Sequence, residues 1–349
     1  MYQKRARLIY NPTSGQEIMK KNVAEVLDII EGFGYETSAF QTTADKDSAK
    51  NEARRAALAG FDLVIAAGGD GTINEVVNGI APLERRPLMA VIPTGTTNDF
   101  ARALKIPRSN PIEAAKVIGK NQMVQMDIGL AGNDHYFMNI AAAGTLTELT
   151  YSVPSQLKTS LGYLAYLAKG AELLPRIRKV PVKIEHDEGI FEGHMSMIFA
   201  ALTNSVGGFE QIAPDAKLDD GLFTLIVVKT ANLFDMLGLI RLVLNGRHIG
   251  DKNIEYIKTS KLTITPLGTH AKRLMINLDG EYGGDAPITL KNLKNHLTFF
   301  ADADNISDDA ISIDLKDTEM LALEAIAEKF SKEVDRVEKE HEESQGHKN

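Results

Sequence analysis

Gly68-Gly69-Asp70-Gly71-Thr72 follows directly on the apolar run Leu63-Val64-Ile65-Ala66-Ala67. Three glycines let a backbone turn tightly and bring its N–H groups up to an anion with no Cβ in the way. The helix-like segment 72–80 adds the positive end of its dipole, and Thr72 with Glu75 has the spacing of a capping box. Asp70 does not belong in a pure anion cradle. A carboxylate beside phosphates implies a metal ion between them or a proton to be handled. The string therefore points to phosphate chemistry.

Two other strand ends carry loops of the same kind. Asn11-Pro12-Thr13-Ser14-Gly15 places small hydroxyls and a glycine ahead of a helix, although alone it reads equally as a turn and N-cap. Pro93-Thr94-Gly95-Thr96-Thr97-Asn98-Asp99-Phe100 repeats the pattern of a glycine, several hydroxyls, one carboxylate and then a helix. Neither GxxxxGK[ST] nor GxGxxG is present, so a P-loop NTPase and a dinucleotide oxidoreductase are both unsupported.

The elements that must position these loops alternate. Segments 5–10, 36–40, 62–67, 88–92 and 124–128 read as strands; 17–32, 49–59, 72–80, 98–104 and 111–118 read as helices. Short, wholly apolar strands alternating with helices predict a parallel sheet covered on both faces, with ligands beyond the C-terminal strand ends. Past residue 130 the pattern changes. Segments 135–143, 182–186, 189–201, 222–228, 261–265, 274–278, 286–290 and 296–300 read as strands separated by turns, interrupted by helical stretches at 160–174 and 233–244. That is the pattern of an antiparallel sandwich. The expected fold is α/β: a doubly wound parallel-sheet domain over 1–129, a β-sandwich over 130–303 and an acidic, partly helical tail over 304–349. The last strands, near 290–303, are candidates to return to the first domain.

Composition narrows the class. A chain of 349 residues has room for two domains, and 44% hydrophobic with 25% charged residues is ordinary for a globular protein. There is no cysteine, which excludes disulfides and thiolate metal sites. No signal-peptide run and no apolar stretch near the roughly 20 residues of a membrane span is present, so the chain reads as cytoplasmic. The net charge of −8 lies in the tail, where residues 304–349 hold 14 acids and 6 bases. The body is neutral, and nothing global favours nucleic acid.

The three loops together resemble the catalytic domain of diacylglycerol kinases and their sphingosine-kinase and bacterial lipid-kinase relatives, most closely the soluble bacterial diacylglycerol kinases. Leu202-Thr203-Asn204-Ser205, Gly207-Gly208-Phe209, the segment Pro214 to Gly221 and Asp279-Gly280-Glu281-Tyr282-Gly283-Gly284 agree with that pattern. The resemblance covers roughly residues 4–303 and implies an ATP-dependent lipid kinase that makes phosphatidic acid from diacylglycerol. It implies that Asn11, Ser14, Thr42, Gly69, Asp70, Gly71, Thr72 and Thr96 cradle ATP. Pro12, Thr13, Gly15, Gly68, Ile73 and Asn74, adjoining them in the sequence, are counted with them as ATP-binding residues. Asp70 and Asp99 would lie near Mg2+ and the γ-phosphate. Asp220 and the carbonyls of Lys217 and Leu222 would hold a second, structural Mg2+, supported by Asp127 and Asp219. Glu281 matches the general base. A kinase for a sphingoid base or undecaprenol, an NAD kinase and a non-catalytic nucleotide-responsive lipid-binding protein are the alternatives.

A lipid substrate implies transient contact with a membrane surface. Segment 160–180 combines Tyr163, Leu164, Tyr166, Leu167, Leu173 and Leu174 with Lys169, Arg176, Arg178 and Lys179. It fits either a membrane-facing helix or a helix buried on the sandwich. In the tail, Leu323, Ile326, Phe330, Val334 and Val337 form one apolar stripe, fitting a docked terminal helix or a homodimer seam.

Overall fold

The computed structural model describes residues 3–144, 179–204, 213, 215–230, 235, 239, 242, 248–268 and 273–306. The expected helices at 160–174 and, for all but isolated residues, at 233–244 lie outside these residues, as do Gly207-Gly208-Phe209 and nearly all of the acidic tail.

The first five strands and five helices run β1 (Lys4–Tyr10), α1 (Ile18–Gly32), β2 (Tyr35–Gln41), α2 (Ser48–Leu58), β3 (Leu63–Gly68), α3 (Asp70–Ile80), β4 (Leu88–Pro93), α4 (Asp99–Ala103), α5 (Pro111–Gly119) and β5 (Met123–Ala131). Strands β2, β1, β3 and β4 lie side by side in that order, all parallel. Every residue of β3 is buried, as expected of a central strand covered on both faces. Right-handed crossovers put α1 on one face and α2 and α3 on the other. The contacts agree: α1 packs on α5, and α2 on α3. The chain leaves β1 toward β2 but β3 toward β4, so the order reverses between β1 and β3. A crevice opens at such a point, beyond the C-terminal strand ends.

The remaining strands are β6 (His135–Phe137), β7 (Ile140–Gly144), β8 (Val180–His186), β9 (Gly189–Met195), β10 (Met197–Ala201), β11 (Phe223–Val228), β12 (Ile254–Thr259), β13 (Lys261–Pro266), β14 (Met275–Leu278), β15 (Glu281–Asp285) and β16 (Ile288–Phe300). One antiparallel sheet runs β12-β11-β10-β7-β14-β15. It faces the strands β16-β13-β8-β9, which continue the first sheet beyond β4. Val182, Ile184, Leu262 and Ile264 from one layer and Ile198, Phe223, Leu225 and Ile276 from the other share one buried core. The α/β fold with an antiparallel sandwich is therefore the one expected from the pattern.

Several strand limits differ from the sequence pattern. Segment 135–143 reads as one strand but is two, β6 and β7, which belong to different sheets. The chain turns at Met138 and Asn139, whose amides bond to the carboxylate of Asp279 instead of to a neighbouring strand. Segment 189–201 divides in the same way at the buried Ser196, whose N–H and hydroxyl both donate to the carbonyl of Val228. Conversely, 286–290 and 296–300 are one long strand, with its register shifted between Leu293 and Leu297. That strand runs parallel to β4 and antiparallel to β5, so β5 pairs with β16 and not with β4.

Phe137 is fully buried and stacks on Phe223 with ring centroids 5.7 Å apart, joining the two layers. Phe137→Ala is expected to cost about 3–5 kcal/mol of stability. A urea unfolding curve measures it; an unchanged midpoint would contradict this packing role.

Candidate active site

The three loops meet because their strands end at one level. The N–H of Asn11 donates to the carbonyl of Ala67 at 2.9 Å, that of Thr94 to Gly68 at 2.9 Å and that of Thr42 to Tyr10 at 2.9 Å. In the first loop, the Asn11 Oδ1 accepts the N–H and hydroxyl of Thr13 at 3.0 and 2.9 Å. The Ser14 hydroxyl donates to the carbonyl of Thr94 at 3.1 Å, tying the first loop to the third. Gly15 has φ +55°, and a Cβ there would stand 2.1 Å from the Thr94 carbonyl oxygen.

The second and third loops touch backbone to backbone. A Cβ on Gly95 would lie 2.6 Å from the Cα of Gly69, and one on Gly68 would strike the Thr72 side chain at 2.5 Å. Helix α3 begins at Asp70 with Gly69 as its N-cap, two residues earlier than the sequence pattern places it. Thr72 is therefore inside the first turn, and the capping box with Glu75 does not form. Glu75 instead accepts the N–H of Ala49 at 3.0 Å, serving the N-terminus of α2. Asn11 Nδ2 lies 3.5 Å from the Thr72 hydroxyl.

Asp70 is held from the third loop. Its Oδ2 accepts the N–H of Asn98 at 2.9 Å. Asn98 is buried in the left-handed region at φ 50°, and its side chain exchanges two hydrogen bonds with Gly95, at 2.9 and 2.8 Å. The Asp70 Oδ1 is buried with no partner among the described residues. Burial, then the charge of Asp99, then that of Asp279 raise the Asp70 carboxyl to about 6, against the amides of Asn98 and Phe100. An unpartnered carboxylate oxygen amid other carboxylates fits a hard divalent cation, which takes oxygen ligands and relieves like-charge repulsion. Thr96 is exposed at the tip of the third loop.

Asp279 brings the sandwich to these loops. It accepts the N–H groups of Met138, Asn139 and Ile140 at 2.7, 2.9 and 2.9 Å and the Asn74 Nδ2 at 3.0 Å. Asn78, one turn along α3 from Asn74, donates to the Tyr136 carbonyl at 2.8 Å and accepts its N–H at 2.9 Å. Burial raises the Asp279 carboxyl against these four donors. Asp279 and Gly280, at φ 51° and 96°, form the two-residue turn between β14 and β15, where Asp-Gly suits left-handed backbone at both positions. Glu281 is the first residue after it, exposed and paired across the hairpin with Leu278.

Asp127 on β5 and Lys217, Asp219, Asp220 and Leu222 on the turn ahead of β11 form a separate group. The Asp127 Oδ2 accepts the N–H of Gly221 at 2.6 Å and the Asn292 amide at 3.2 Å, while Oδ1 accepts the N–H of Asn295 at 2.8 Å. Burial raises the Asp127 carboxyl, and the charge of Asp220 adds to it. Asp220 itself accepts the N–H of Leu222 at 2.9 Å, and Asp219 is exposed. Among the described residues no three His, Asp or Glu side chains cluster tightly enough to hold a metal unaided. A cation in this turn would need backbone carbonyls or water.

The sequence reading did not single out Asp279, Asn98 or Asn78 as site residues. The Asp-Gly turn after an apolar strand signals the position of Asp279. Asn98 and Asn78 carry no such signal, since their partners are distant in the chain.

Residues 5–131 match the diacylglycerol kinase catalytic domain, and residues 145–301 match the YegS C-terminal NAD kinase beta sandwich-like domain. The chain is 52% identical over 294 residues to a diacylglycerol kinase of Bacillus subtilis strain 168, covering 84% of this chain and 95% of that one. It is 45% identical to a diacylglycerol kinase of Staphylococcus aureus strain RF122, covering 91% and 99%. A crystal structure of a diacylglycerol kinase from Bacillus anthracis strain Sterne superposes with a TM-score of 0.66 at 26% identity, covering 86% and 97%.

Because the folded-state Asp70 carboxyl sits at about 6, above its ordinary value, folding favours its protonated form. That contribution is present below the ordinary carboxylate range and is lost as pH rises through about 6. In ligand-free protein kept in chelator, Asp70→Asn is expected to raise the melting temperature above pH 6 and to match wild type near pH 4. Melting curves of both proteins across that range test it; parallel pH profiles would contradict it.

Proposed function

The chain belongs to the diacylglycerol kinase family, and on that basis we propose that it transfers the γ-phosphate of ATP to the primary hydroxyl of diacylglycerol, giving phosphatidic acid. The observation that carries the reading is the 3.0 Å bond from Asn74 to Asp279. It ties the hairpin that presents Glu281 to the helix that begins at Asp70.

Phosphoryl transfer depends on positioning and charge stabilisation more than on covalent chemistry. Asn11–Gly15, Gly68–Thr72 and Thr96 supply amides and hydroxyls for the ATP phosphates, and the N-terminus of α3 adds its dipole. Asp70 and Asp99 would hold Mg2+, which when bound neutralises charge on the phosphates. The acceptor hydroxyl comes in line with the γ-phosphate, and Glu281 takes its proton. An exposed carboxylate next to a two-residue turn can reach the acceptor hydroxyl of a lipid without being buried itself. A second Mg2+ at Asp220, with the Lys217 and Leu222 carbonyls, would brace the turn that Asp127 already holds. The substrate implies work at a membrane surface; among the described residues no helix is long and apolar enough to cross a membrane.

The test offers labelled ATP with diacylglycerol, sphingosine, undecaprenol and NAD as acceptors. Label is expected in phosphatidic acid, and Glu281→Gln is expected to lower kcat by about 10²–10⁴-fold with ATP affinity little changed. Label in another acceptor alone would overturn the substrate. Near-normal turnover of the variant would remove Glu281 from the chemistry.

A further inference from the structure

A cavity of about 170 Å³ opens on the side of the loops where α1 and α5 begin, walled by Gly15, Thr94, Gly95, Arg108, Ser109 and Pro111. It is far larger than the roughly 10–15 Å³ that one water needs. Among the described residues no acidic one lines it. Two of its walls are glycines at loop contacts: a side chain at Gly15 would collide with the Thr94 carbonyl at 2.1 Å, and one at Gly95 with the Gly69 Cα at 2.6 Å. Thr94 is 5% exposed, and its hydroxyl oxygen is buried with no partner among the described residues.

Arg108 stands on a short segment with little freedom. The N–H of Ile106 donates to Ala101 at 2.9 Å, and the Leu104 carbonyl accepts from Asp302 at 3.1 Å. Pro107 and Pro111 fix φ on both sides of Arg108-Ser109-Asn110. Pro111 is the first residue of α5, and Asn110 caps that helix by accepting the N–H of Ile112 at 2.9 Å. The positive end of α5 and Arg108 thus border the same space. Glu113, the acid in its first turn, is paired with Lys116 at 2.7 Å. Arg108, a helix N-terminus and the Thr94 hydroxyl beside a space that no described acidic residue lines suit a tetrahedral oxyanion.

We infer that Arg108 is a nucleotide-binding residue, receiving a phosphate group of ATP in the cavity between Gly15, Thr94 and Gly95. The inference rests on the ATP reading above and extends the phosphate cradle to a cation that the glycine loops lack. It is open to a direct binding measurement on the full chain, with wild type, Arg108→Ala and Arg108→Lys titrated with ATP, ADP and adenosine in the presence of Mg2+. Arg108→Ala is expected to weaken ATP and ADP about tenfold, the scale of one charge-assisted contact, and to leave adenosine within about twofold. Arg108→Lys should fall between, because it keeps the charge but loses the planar fork. If Arg108→Ala binds ATP as wild type does, or loses adenosine as much as ATP, the inference is overturned while the ATP reading stands. A wild-type chain that binds no ATP would overturn both.

Discussion

One buried carboxylate organises the meeting of the two halves. Asp279 accepts four hydrogen bonds from the Met138–Ile140 corner and from Asn74 on α3. A carboxylate removed from water is costly unless its oxygens are paired, and hydrogen bonds to a charged group contribute about 1.5–3 kcal/mol each. The corner between β6 and β7, the first turns of α3 and the β14–β15 turn are therefore mutually dependent. Displacing any one leaves donors or a charge buried without partners. Because Glu281 follows Asp279 by two residues, its position is set by the same bonds.

The second constraint is steric. Gly69 against Gly95 and Gly15 against Thr94 allow main chains to approach at distances that no Cβ permits. These contacts hold three loops from three strands as one surface. Asp70 sits where that surface meets the helix dipole, with one oxygen taken by Asn98 and the other without a partner among the described residues. The charge of Asp279 also acts on Asp70, which couples the glycine-loop side to the hairpin side of the site.

Much of this was legible in the residue pattern. Apolar strands such as Leu63–Gly68 announced a doubly covered sheet, and their spacing with helices announced the direction of the loops. The glycine and hydroxyl content of the three loops marked them as candidates to receive an oxyanion. What stayed hidden involved partners far apart in sequence. Segment 135–143 alternates as a single strand would, and nothing local shows that a carboxylate some 140 residues away takes its amides. Glu75 has capping-box spacing to Thr72, but the glycine at 69 starts the helix sooner and frees Glu75 for α2. Segments 286–290 and 296–300 read as two strands, because the register shift between them looks like a turn.

The sequence by itself determined the class of structure, an α/β sheet followed by a sandwich, and marked three glycine and hydroxyl loops and the carboxylates Asp70, Asp99 and Glu281 as candidates for phosphate chemistry. These follow from local rules of side-chain period, backbone freedom and charge, which act over a few residues. Tertiary structure decided which groups meet. It set Asn98 on Asp70, Asn74 on Asp279, Arg108 beside Gly15 and β16 between β4 and β5. Those pairings depend on how buried polar groups find partners across the whole chain, a condition that only the packed molecule can satisfy.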